Sequence, residues 1–155
     1  MTQKTVRALC LFDYACTTGF STVSQNVIRH LKNHFKEKII LDIVAINYYG
    51  EQFFEDERTL VMGASKIDPE GDVYGRNEFM RLARYMDYDI IFIIQDIAIL
   101  CMLGELYKMI RADRKKENRK LAKFIGYFPI DSPPLESFMT HLDAYDSLIT
   151  YTEYG

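Results

Sequence analysis

Three runs of consecutive apolar residues constrain this chain most. Ile39 to Ile46 is apolar apart from Asp42. Asp89-Ile90-Ile91-Phe92-Ile93-Ile94 is apolar after its first residue, and Phe124-Ile125-Gly126-Tyr127-Phe128 carries no charge. A strand with one wet face alternates in polarity; a run without alternation marks a strand covered on both faces, as in a parallel sheet between helices. Val6 to Phe12 and Leu148-Ile149-Thr150-Tyr151 extend the series, and a shorter strand fits Thr59 to Met62. Between these runs, Phe79, Leu82, Ala83 and Met86 share one helical face, as do Leu135, Phe138, Met139 and Leu142. Ser132 as N-cap and Pro133 at the first helical position would start the second of these helices. A further helix, from Ile97 to about Ile110, is apolar over much of its surface and is expected to pack centrally. The alternation predicts an α/β fold, a doubly wound, mainly parallel, Rossmann-like sheet.

At 155 residues the chain suffices for one domain with a sizeable core. No run approaches the ~18 apolar residues of a membrane span, and Arg7 interrupts an N-terminal stretch that reads as a strand rather than a secretion signal. Cys10 and Cys101 lie in apolar segments and are expected to be buried thiols. Cys16 sits in the first loop without a CxxC partner. This usage fits a reducing, cytoplasmic compartment. The net charge of −3 argues against general nucleic-acid binding. Lys108 to Lys123 runs the other way, with eight basic residues (Lys108, Arg111, Arg114, Lys115, Lys116, Arg119, Lys120, Lys123) against Asp113 and Glu117. One reading is the solvated end of a helix, its cations favoured by the C-terminal dipole. The other is a patch for an anionic membrane surface, where each cation contributes ~1 kcal/mol.

The first strand runs into a loop closed by Gly19, and a helix follows. Thr22 and Gln25 have the spacing of a capping box, and Val23, Val27, Ile28 and Leu31 form the apolar face behind it. A strand, a turn and a helix N-terminus together aim free N–H groups at one point, where an anion fits. Neither GxGxxG nor GxxxxGK[ST] is present, so Gly19 either admits a phosphate or merely turns the chain. Ligands of such sheets bind beyond the carboxyl ends of the strands, near the point where strand order reverses. That rule selects Asp13 to Phe20, Asn47 to Gly50, Gln95-Asp96, Pro129 to Ser132 and Thr152 to Gly155. Asp13, Asp96 and Asp131 each follow a strand, with helix capping as the alternative role of the last two. With Tyr14, Tyr48 and Tyr49 they would make a rim suited to a sugar, whose hydroxyls need acceptors and whose ring stacks on aromatics. His30 and His34 have a metal-binding spacing but no acidic third ligand beside them, and read as a surface pair; no metal or other cofactor is expected. His141 reads as the polar side of the Leu135–Leu142 helix.

Several segments together resemble a known family. Gly19-Phe20-Ser21-Thr22-Val23 is similar to the opening of the N-terminal domain of GT-B glycosyltransferases of family GT4, and Asp89 to Asp96 is similar to that family's fourth strand and its polar end. Gly126-Tyr127-Phe128-Pro129-Ile130-Asp131-Ser132-Pro133-Pro134, followed by Ala144 to Gly155, resembles the family's "YFPVD…P…AD.VIT.SEFG" passage. The resemblance implies an acceptor-side half, partnered by a second Rossmann-like domain that binds the nucleotide sugar and carries a pair of glutamates. Transfer would occur between the domains, usually with retention and without a required metal. Gly19 and Phe20 would lie near the donor phosphates. Asp13, Tyr49, Gln95, Asp96, Asp131, Thr152 and Glu153 would face the acceptor. Many members place a histidine where this chain has Gln95-Asp96, so the resemblance assigns no catalytic residue. A last strand without a covering helix adds the expectation that residues 1–155 are part of a longer enzyme and inactive alone. The alternative is a self-contained flavodoxin- or receiver-like binding module, its strand-end acids holding Mg²⁺.

Overall fold

The computed structural model describes residues 5–64, 72–130 and 136–150. The elements are β1 (Val6–Asp13), α1 (Gly19–Phe35), β2 (Ile39–Ile46), β3 (Phe53–Asp56), β4 (Thr59–Gly63), α2 (Arg76–Tyr85), β5 (Ile90–Ile94), α3 (Ile97–Lys116), β6 (Lys123–Phe128) and β7 (Ser147–Thr150). They form one seven-stranded sheet of order β3-β4-β2-β1-β5-β6-β7. Every neighbouring pair is parallel except β3 with β4. The expected α/β, Rossmann-like doubly wound sheet is thus present. Without the antiparallel edge strand, the parallel strands stand in the chain order 3-2-1-4-5-6, the dinucleotide-binding arrangement rather than the 2-1-3-4-5 order of flavodoxins and receivers.

Successive residues of β1 divide between two cores. Leu9 and Leu11 face α2 and α3, packing with Phe79, Leu82, Leu100, Leu103 and Ile110. Ala8, Cys10 and Phe12 face α1, packing with Ile28, Val23 and Val27. Each fully buried side chain of this size contributes about 1.5–3 kcal/mol. The polar interruptions of β1 and β2 answer one another. Asp42, only 5% exposed, accepts from Arg7 Nε (3.0 Å) and Nη2 (2.6 Å) and from the Tyr88 hydroxyl (2.9 Å). On the same side Phe124 stacks on Tyr145 at 4.0 Å and meets Tyr107 at 4.2 Å, a large aromatic payload under α3.

Much of the basic segment proves to be internal scaffolding. Arg114, 3% exposed, donates to the carbonyls of Ala83 (3.2 Å), Arg84 (3.0 Å), Met86 (3.0 Å) and Lys120 (2.8 Å), and pairs with Asp87. Arg119 donates to the carbonyls of Arg84 (2.7 Å) and Tyr85 (2.9 Å). The carbonyls of Ala83 to Met86 close α2, which has no further turn to satisfy them, so two guanidinium groups do so. Lys108 pairs with Asp143, Arg111 with Asp146 and Lys120 with Asp89. Lys115, Lys116 and Lys123 are exposed.

β3 has no counterpart among the expected strands; all four of its residues are exposed, so no buried periodicity marks it. Met86 stands just past α2 and is 36% exposed, the helix having closed at Tyr85. The helix expected through Leu142 is instead two short 3-10 turns, Glu136–Met139 and Leu142–Ala144, separated at His141 by a left-handed φ of 68°. Its carbonyl lies where a Cβ on Gly104 would stand at 2.5 Å, so docking against the α3 backbone, not periodicity, decides this segment. Cys101 is half-buried, its thiol directed at the Thr140 carbonyl in that same segment. Cys10 is buried, and burial reinforced by Asp42 drives its thiol pKa far up. No helix among the described residues is long and apolar enough to cross a membrane.

Candidate functional site

The order reverses between β1 and β5, and there two of the expected site residues meet. Asp13 ends β1 at 4% exposure, and Gln95 follows β5 at 4% exposure. Gln95 Nε2 donates to Asp13 Oδ1 at 3.0 Å. The other carboxylate oxygen accepts from Thr18 Oγ1 at 2.6 Å and from Asn47 Nδ2 at 3.0 Å. One buried carboxylate thus ties together the loops after β1, β2 and β5 through three neutral donors. The Gln95 backbone N–H donates to the Tyr127 carbonyl (3.2 Å), which draws in the end of β6.

Local sequence explains how each partner is held. Thr18 is the N-cap of α1, its hydroxyl accepting the Ser21 N–H at 3.0 Å. Its own proton goes to Asp13, so the cap is oriented by a charge. The capping box expected at Thr22 and Gln25 is therefore displaced: Thr22 lies inside the first turn, donating its N–H to the Thr18 carbonyl at 3.1 Å, and Gln25 bonds Ser21 instead. Asn47 takes a left-handed φ of 60°, a conformation asparagine tolerates better than most residues, and Ala15 takes 56°. The special turn conformations thus fall on Ala15 and Asn47, and Gly19 is the first residue of α1 rather than the closure of a loop. Gly19 is exposed, and a Cβ added there meets nothing within 4 Å. Phe20 is half-buried, packed against the core under α1.

Asp96 occupies the N-cap position of α3, where its carbonyl accepts from the N–H groups of Ile99 and Leu100, both at 3.0 Å. The N-termini of α1 and α3 therefore approach the switch point from opposite faces of the sheet, each with the positive end of its dipole. The tyrosines separate. Tyr14 is buried and bonds Glu55 at 2.8 Å, and burial together with that bond raises its pKa. Tyr48 bonds the Glu51 carbonyl at 2.8 Å and lies against Gly50, where any Cβ would strike its ring. Tyr49, at 66% exposure, is the one open to a ligand. Asp131, Ser132, Pro133, Thr152 and Glu153 lie outside the described residues.

The structure thus brings Asp13 and Gln95 into contact, with Gly19 and Asp96 at the helix starts beside them. Thr18 and Asn47 lie inside the loops that the strand-end rule selects, but sequence reasoning singled out neither. An asparagine directly after an apolar strand is a turn former, which marks Asn47, whereas nothing local sets Thr18 above Thr22. His30 and His34 are exposed on α1, and among the described residues no three His, Cys, Asp or Glu side chains gather as a metal site. Chemically the rim offers hydroxyl- and amide-recognising groups around one fixed carboxylate, beside two sources of N–H donors. No protein-family model matches the chain, and a comparison with curated proteins likewise finds no match.

Proposed function

We propose that this chain is the acceptor-side half of a nucleotide-sugar-dependent glycosyltransferase of the GT4 type, acting in a cleft completed by a second, donor-binding domain. The observation that carries the reading is the β1/β5 switch point, where Asp13 holds Gln95 and two helix N-termini converge. Asp13 keeps the loops in register, Gln95 and Asp96 face the acceptor with Tyr49 as a stacking surface, and the first amides of α1 receive the donor phosphates. The open space around Gly19 supports that last assignment, because a phosphate can approach the backbone there. The reading carries a cytoplasmic setting with it, with which three free thiols agree. A lipid-linked acceptor would bring Lys115, Lys116 and Lys123 against an anionic membrane. The strand order 3-2-1-4-5-6 weighs against the receiver-like alternative.

The test is Gly19→Leu in the enzyme that includes the donor domain. The side chain has room in the folded chain, so the unfolding midpoint should hold while sugar transfer from the nucleotide donor falls by about 10²-fold, the scale of a small misplacement at a reacting centre. Equal loss of folding and transfer, or no loss of transfer, counts against the reading.

A further inference from the structure

Residues 47–56 leave the end of β1 and return to it. Asn47, just past β2, donates to Asp13 at 3.0 Å, and Glu55 in β3 accepts from Tyr14 at 2.8 Å. Asp13 and Tyr14 are chain neighbours, so two adjacent residues hold both ends of one segment. Between those ends lie Tyr48, Tyr49 and the first half of β3. The two anchors differ in kind. Asp13 is buried, and Asn47 reaches it with a neutral amide. Glu55 is held from the outside as well, because Lys32 of α1 pairs with it and, at 2.8 Å, with Asp56. These three side chains are 26%, 38% and 46% exposed. Salt screens exposed charges far more than partly buried bonds, so one end of the segment is fixed and the other is adjustable.

Little else holds the adjustable end. β3 is the edge of the sheet; among the described residues its strand partner is β4 alone, and their register shifts between Phe54 and Asp56. None of its four residues is buried, and Phe54 is 71% exposed. Phe53 meets Tyr48 edge-on at 5.7 Å. A cleft of about 530 Å³ separates β3 from α1, with Lys32 and Glu55 in its lining. The other charges nearby are Arg29, bonded to Asn26, and Lys36, Glu37, Glu57 and Arg58 around the adjoining cleft. Among the described residues, only Lys32 pairs with the acids of β3. A segment with few buried contacts opens without global unfolding. We propose that residues 48–56 are a strap, hinged at Asn47 and latched to α1 through Lys32, which peels from β4 as one unit when the latch is released. Its bearing on an acceptor rests on the reading above, because Tyr49 rides on the strap. The latch does not, and its test contains no sugar.

The test is amide hydrogen exchange of the whole chain, compared between the strap and β2. Amides of 48–56 should exchange together and well ahead of those of β2. Raising salt from about 0.02 M to about 0.5 M should speed the strap about threefold and leave β2 unchanged. Lys32→Met should speed the strap about fivefold at low salt and remove the salt dependence, and Lys32→Arg should restore both. Circular dichroism checks folding. If Lys32→Met does not fold, Asp56→Asn serves: it keeps an acceptor for the Arg58 N–H and should speed the strap about twofold. Strap rates that ignore salt in the native chain, or that ignore the loss of the latch charge, overturn the proposal. So do separate rates for the Tyr49 loop and β3, which would make them independent elements.

Discussion

The two faces of the sheet are finished differently. The face under α2 and α3 is closed by aromatic packing and by two arginines, Arg114 of α3 and Arg119 just beyond it, that bond the end of α2. The face under α1 is closed over β1, β2 and β4, where Val61 is fully buried, whereas Phe92, Ile125 and Tyr127 remain half-buried. The strands are the same; what differs is the number of helices above them. The comparison teaches that apolar strand composition reports how both faces are meant to be covered, while the degree of covering depends on elements the strand does not contain.

Adjacent residues of β6 test this directly, since Phe124 points to one face and Ile125 to the other. Phe124→Ala should cost about 4 kcal/mol and Ile125→Ala about 1 kcal/mol, both read from urea midpoints. Equal costs would break the comparison. Arg114→Met should follow at about 3 kcal/mol, because it removes the donor to the Ala83 and Met86 carbonyls and leaves only Arg119 at the end of α2; a neutral result would make the arginine clamp incidental. Gly19→Ala on the α1 side should be neutral or add about 0.5 kcal/mol, as it replaces glycine at an unstrained helical position; a loss above 1 kcal/mol would show hidden crowding there.

The smallest expected effect concerns pH. The Arg114 fork holds the Asp87 carboxyl below its ordinary value against a modest opposing burial, with Arg119 adding to it. A depressed carboxylate stabilises above its unfolded pKa, so this contribution is complete at neutral pH and is lost as pH falls below about 4. Unfolding free energy measured from pH 6 downward should fall more steeply for the native chain than for Asp87→Asn. Identical slopes would mean that the exposed carboxylate adds nothing to the clamp.

The sheet was legible because burial on two faces leaves a run that nothing else explains; β2 spans the residues its apolar run marks. β3 was not legible, being an exposed edge held by the Asp56–Arg58 turn, in which the Arg58 N–H donates to Asp56 at 2.8 Å. The segment after residue 135 carried helical spacing, but contact with Gly104 overrode it. At the site, Asp13 and Gln95 could be read from the strand-end rule, whereas Thr18 could not be ranked above Thr22. Both are sound caps in isolation, and only the carboxylate of Asp13, brought near by the fold, separates them.

The Arg114 clamp has a kinetic meaning as well. Its donors sit on α3, while most of its acceptors belong to the last turn of α2 and the two residues beyond. Neither helix can open alone without stranding a buried charge, so the pair behaves as a single cooperative unit in native-state exchange. Amides of both helices should then exchange with deuterium through one shared opening, while α1, tied to neither, follows its own.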